Sequence, residues 1–148
     1  MVGPAPDSHA PLGRVLIVSH NLNFEGAPWF IFDLAQHYRT ARGATVRVVA
    51  PQDGPMRRVF EAAGLPVSVV EVSAALGADS PAAFAEQLAA ATAALPWAET
   101  DLVVANTMVA FWAVPAALRR GRPVLLYVHE SSPVRRFFAL LLAPALFP

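Results

Sequence analysis

Apolar residues in this chain fall into two alternating rhythms. Five short runs are β-branched and almost continuously apolar: RVLIVS at 14–19, TVRVVA at 45–50, PVSVVEV at 66–72, DLVVAN at 101–106 and PVLLYVH at 123–129. Such runs read as strands covered on both faces, because a strand with one wet face alternates apolar with polar. Between them the apolar positions recur at helical spacing. Ile31, Leu34, Ala35 and Tyr38 share one face of a helix whose other face carries Asp33, Gln36, His37 and Thr40. Phe84, Leu88, Ala91 and Leu95 form a single stripe along a later Ala-rich helix.

Local signals mark the helix ends. Pro28 suits a first turn, where its missing N–H has no intrahelical partner, and Gly43 after Arg39 and Arg42 is a stop. Ser80 before Pro81 is an N-cap, and a further helix starts near Met56. Gly64 and Gly121 close two more helices, each with a proline two residues on. Pro115 is discordant inside 108–120 and should kink that helix or delay its start. Strand and helix in alternation predict an α/β, Rossmann-like domain: a mostly parallel sheet with right-handed crossovers and helices on both faces.

The 148 residues suffice for one domain burying about 68–70% of its unfolded surface. Residues 1–13 are Pro-rich and aperiodic and read as a disordered leader, followed by the domain over 14–138. Residues 139–148 read as the apolar end of a truncated chain, packing in life against something that follows. The rival reading of FFALLLAPALFP, behind Arg135 and Arg136, is a helix lying in a membrane interface, since it is too short to span. Lys plus Arg equals Asp plus Glu at 11 each, so no field of one sign gathers nucleic acid. With no cysteine, thiolate metal sites and cysteine nucleophiles are excluded. A chain without a signal peptide suits the cytoplasm, and the membrane reading would place it peripherally at the inner face.

Ligands of such sheets sit beyond the carboxyl ends of the strands. The loop HNLNFEGAP, after the first strand, ends at a helix N-terminus, where unpaired N–H groups and the dipole favour an anion. Gly26 there permits close backbone approach to a ligand, or simply completes a tight turn. His129 leaves the fifth strand at the same edge, either meeting a ligand or capping a loop carbonyl. Glu130 should point the opposite way, and Ser131 or Ser132 with Pro133 resembles a helix start. Asn106 and Thr107 either contact a sugar hydroxyl or, as is commoner, cap the helix after them. His20 is a weaker rim candidate, while Arg57 and Arg58 read as solvated surface and the three tryptophans as core or interface anchors. No G-x-G-x-x-G, P-loop, G-x-S-x-G or H-E-x-x-H is present.

Four segments in order, VLIVSHNLNFEGAPWFIFDLAQHY, VRVVAPQDGPMRRVFEAAGLPV, DLVVANT and PVLLYVHE, resemble the N-terminal domain of family 4 glycosyltransferases of the GT-B fold. The resemblance runs from about residue 14 to about 138. It implies the acceptor side of a retaining enzyme that moves a sugar from a nucleotide-sugar to an acceptor hydroxyl of a glycan or lipid. The donor would be held mainly by a C-terminal GT-B domain that this chain lacks, so the chain alone should be inactive. It implies that Gly26 and Ala27 lie near the donor phosphates, that His129 contacts the transferred sugar, and that Asn106, Thr107 and Glu130 share the rim. It implies neither a cofactor nor a metal. Many members carry two glycines where this chain has Gly26 and Ala27. The rivals are a non-catalytic nucleotide- or phosphate-binding module and a membrane-anchoring module.

Overall fold

The computed structural model describes residues 12–129. Five parallel strands, β1 (Arg14–Val18), β2 (Thr45–Ala50), β3 (Val67–Val69), β4 (Leu102–Asn106) and β5 (Val124–Tyr127), form one sheet in the order β3-β2-β1-β4-β5. The helices are α1 (Gly26–Arg42), α2 (Met56–Ala62), α3 (Ser73–Leu76), α4 (Pro81–Ala91) and α5 (Ala113–Leu118). The expected α/β, Rossmann-like architecture is present. The leader over 1–11, Glu130, the Ser131–Pro133 helix start and the apolar end lie outside the described residues. Leu12 and Gly13, the last two positions of the expected leader, already belong to the body: Leu12 donates its N–H to the Arg42 carbonyl and Gly13 accepts from Thr45.

The central strands have the cause anticipated for their near-continuous apolar runs, whereas in the edge strands β3 and β5 Val69 and Leu125 are exposed, so coverage of both faces does not extend to them. Val15 and Ile17 of β1 pack with Val48, Ile31, Ala35, Met56 and Phe60 on the side of α1 and α2. Leu16 and Val18 point the other way, into Val103, Leu88, Trp97, Trp112 and Ala117 on the side of α4 and α5. Both sets are removed from water, so neither alternate position tolerates a polar residue. The reversal of strand order at β1 produces this division, because right-handed crossovers running outward on opposite sides of β1 put their helices on opposite faces.

Most end signals act as expected. Gly43 adopts φ 60° and caps α1 with an N–H donated to Tyr38, and the Ser80 hydroxyl accepts from Ala83 at 3.2 Å. Helix α1 begins at Gly26, two residues before the proline, which still leaves Pro28 in the first turn. Pro115 delays its helix: a 3-10 turn over Met108–Ala110 precedes α5, where Pro115 stands third. Leu95 lies beyond α4 yet is buried, so the stripe of Phe84, Leu88 and Ala91 extends past the helix that carries most of it. The short α3 has no counterpart in the expected elements, and β3 and β5 are shorter than their apolar runs because each pairs on one side only.

At the amino-terminal edge, Asp101 accepts from the Arg14 backbone N–H at 2.9 Å and from its guanidinium at 3.0 and 2.7 Å. The side-chain bonds from Arg14, then its backbone N–H, hold the Asp101 carboxyl at about 2, below its ordinary 3.8. A carboxyl depressed on folding stabilises fully above its unfolded pKa and loses that contribution as pH falls through the folded one. Asp101→Asn should therefore lower Tm at neutral pH, with the gap to the parent closing between about pH 4 and about pH 2. Thermal unfolding across that range checks it, and a gap independent of pH would contradict it.

Candidate functional site

The strand order reverses between β1 and β4, and in open α/β sheets the crevice that takes a ligand lies at such a switch point, beyond the carboxyl ends of the strands. Residues named from sequence converge there. Asn106, the last residue of β4, is wholly buried. Its Nδ2 donates to the Ala27 carbonyl in the first turn of α1 at 3.1 Å. Its Oδ1 lies 2.6 Å from His129 Nε2. One amide thus ties the loops after β1, β4 and β5 together. The His129 ring meets Phe30 edge-on at 5.1 Å and stacks on Tyr127 at 6.3 Å. Asn106 does not cap the helix that follows it; its amide is engaged by Ala27 and His129 instead.

Thr107 does not cap either. It adopts φ 71° and ψ 160° with no side-chain cap bond. A β-branched residue at positive φ is a strained outlier, of a kind that clusters at ligand sites and persists only where its surroundings hold it. Here the Thr107 N–H donates to the Tyr127 carbonyl at 2.8 Å. Its hydroxyl oxygen is buried and has no hydrogen-bond partner among the described residues.

The loop after β1 is organised by Glu25, which the sequence reading passed over. Its carboxylate accepts from Asn21 at 3.3 Å and Asn23 at 3.4 Å, and lies 3.2 Å from His20 Nε2. Those bonds, the one from Asn21 foremost, hold the Glu25 carboxyl below the usual carboxylate range. Glu25 is also the residue before α1, and its side chain caps nothing. The amides of Gly26 and Ala27 are therefore without intrahelical acceptor or side-chain cap. A carboxylate one residue before a helix was the available signal, but its three partners are set by loop geometry that spacing does not reveal.

Gly26 itself is exposed, lacks positive φ, and a Cβ placed on it would meet nothing within 4 Å. Nothing in its own conformation or packing thus requires a glycine at this position. Gly54 is the glycine that packing demands. Its Cβ would strike the Leu22 carbonyl group, 2.6 Å from the carbon, and stand 3.0 Å from the Asn23 nitrogen. The loop after β2 thereby braces the loop after β1, and Met56 N–H donates to the same Leu22 carbonyl at 2.8 Å.

Further along this edge a cleft of about 410 Å³ is lined by Asp53, Gly54, Pro55, Arg57 and Arg58. Arg57 is engaged by Asp53 and Glu61 at 2.9 Å each. Trp97 and Trp112 are core residues as expected, but Trp29 is 43% exposed and stacks at 6.2 Å on Phe24, itself 60% exposed. Among the described residues no group of three or more His, Asp or Glu could hold a metal ion, and no helix is long and apolar enough to cross a membrane.

The fold defines a Rossmann-like domain whose sequence-named polar residues gather at the carboxyl edge of its sheet. The sequence profile described as Glycosyltransferase Family 4 matches residues 24–146, and the chain belongs to that family. Among solved structures it is similar to Anabaena HepE in complex with UDP and glucose: 25% identity, TM-score 0.63, over 83% of this chain and 32% of that one. It also shares its fold with the glycotransferase of kitacinnamycin, at 17% identity and TM-score 0.52 over 87% of this chain and 34% of that one. The calicheamicin glycosyltransferase CalG4 is similar at 15% identity and TM-score 0.51, over 86% and 36%. The chain thus spans about a third of the length of the structures it matches. No curated protein sequence matches it significantly.

Proposed function

We propose that this chain is the acceptor-side half of a retaining glycosyltransferase that moves a hexose from a nucleotide-sugar to an acceptor hydroxyl. The observation that carries the reading is the tie from Ala27 through Asn106 to His129 across the crevice. Family membership and the UDP and glucose held by Anabaena HepE support it. In this reading the free Gly26 and Ala27 amides face the donor phosphates, with close approach at Gly26 alone because Ala27 bears a methyl. His129 contacts the transferred sugar beside the reacting carbon, and Thr107, His20 and Glu130 complete the rim. The departing nucleoside diphosphate is stabilised by these fixed dipoles, without a metal, and the acceptor hydroxyl attacks from the face it leaves. A second lobe supplies most of the donor site, so the 148-residue chain alone turns over no substrate.

The test is a screen of nucleotide-sugars with the intact enzyme, reading nucleoside diphosphate release and the anomeric configuration of the product. Release with one donor and retained configuration is expected. No turnover with any nucleotide-sugar, or inversion, would reject the reading.

The acceptor side has its own expected result. Phe24 and Trp29 present a flat apolar surface beside the polar Asn23 and Glu25, a combination that suits a sugar ring with an apolar face and hydroxyl edges. Trp29→Ala should raise the acceptor KM roughly tenfold, about 1.4 kcal/mol, and leave donor KM near its parent value. Equal acceptor kinetics in parent and variant would remove Trp29 from the site.

A further inference from the structure

We infer that Asn106 is a positioning residue that fixes the tautomer of His129, keeping the proton on Nε2 and leaving Nδ1 as the nitrogen that meets substrate. The functional weight of this inference rests on the role proposed for His129, whereas the tautomer itself follows from hydrogen-bond logic alone. A backbone carbonyl can only accept, so the Ala27 oxygen requires the nitrogen end of the Asn106 amide to face it. The other end, Oδ1, is then the atom directed at His129, and an amide oxygen can only accept. His129 Nε2 must therefore carry a proton in either charge state of the ring. The order of donors and acceptors is dictated from α1 outward, because a flipped amide would set its oxygen against the Ala27 carbonyl oxygen.

Three further observations make the arrangement rigid. Asn106 is wholly buried, so water does not compete for its amide. The strained Thr107 immediately after it is pinned to the Tyr127 carbonyl, which holds the end of β4 against the end of β5. Phe30 and Tyr127 border the imidazole, Phe30 at 75° and Tyr127 at 17° to its plane. Among the described residues the only hydrogen bond to the ring is the one at Nε2, so Nδ1 has no polar partner there. With both amide ends engaged by the protein, Asn106 acts on substrate through His129 and not directly. In the neutral ring Nδ1 offers a lone pair, so its complement is a hydroxyl, and a phosphate oxygen is excluded there unless the ring is protonated.

The experiment is ¹H–¹⁵N NMR of the histidine side chains of this chain at alkaline pH, where the ring is neutral. An exposed imidazole N–H exchanges with water too fast to be seen, whereas one held to a buried acceptor is retained. The parent should show a one-bond Nε2–H signal for His129 and a pyridine-type Nδ1. A proton on Nδ1, or no retained Nε2–H, would overturn the inference without touching the proposed transferase activity. Asn106→Leu should abolish the signal, whereas Asn106→Asp, which keeps the acceptor toward His129 but loses the donor toward Ala27, should retain it at a cost in stability. Should neither variant fold, the parent spectrum still decides. In the intact enzyme Asn106→Leu should lower kcat about 10–100-fold, the range typical of partners that orient a histidine, with Asn106→Asp recovering part of the loss. A folded Asn106→Leu enzyme with parental kcat would contradict the inference.

Discussion

Replacing His129 with alanine in the intact enzyme should cut turnover by about 10²–10³-fold, the loss typical when one preorganised polar group is removed from a developing charge. The fold should survive. His129 lies outside β5, is exposed, and contributes to neither apolar core. Its removal leaves Asn106 Oδ1 without its partner at the crevice edge, where water can replace the ring. Steady-state kinetics with thermal unfolding on the same preparation separates the two effects. A folded variant with parental rates would remove His129 from the chemistry.

The second large effect falls on a glycine that the sequence presents as ordinary turn chemistry. Gly54→Ala should destabilise the protein by about 1–3 kcal/mol, because the new methyl meets the backbone of Leu22 and Asn23, which cannot rotate aside as a side chain would. The displaced segment carries Asn21, Asn23 and Glu25, so donor affinity should fall with stability. Gly26→Ala makes the opposite pair of changes. Its methyl enters open space at a helix N-terminus, stability holds, and activity drops if the donor phosphates approach there. Denaturant unfolding and donor KM measured for both variants test the contrast, and equal stability losses would contradict it.

What could be read from sequence was whatever depends on periodicity and local sterics. The paired runs of β1, β2 and β4 are nearly continuous in apolar residues, with only Arg14, Thr45 and Arg47 exposed, so their bounds were legible to within a residue. Gly43, Ser80 and Pro115 act within one turn of themselves, and each does what its chemistry dictates. The runs for β3 and β5 overshoot because apolar composition does not record where an edge strand stops pairing. The strand-end loops were identified as the ligand edge, and Gly26, Asn106, Thr107 and His129 were all picked out there. Their geometry was not legible. Asn106 reaches 79 residues back to Ala27 and 23 forward to His129, contacts that spacing cannot announce. Glu25 was overlooked because its significance lies in three partners within one irregular loop. Thr107 looked like a cap because its residue type favours one, and only its positive φ shows that the chain turns away instead.

The most direct test of the account is a structure of the intact protein with its nucleotide-sugar bound. The sugar should lie against His129, with the phosphates toward the Gly26 and Ala27 amides, at the carboxyl edge between β1 and β4. A donor seated at the opposite edge, in the cleft of about 370 Å³ lined by Arg39, Arg47 and Gly64, would contradict it.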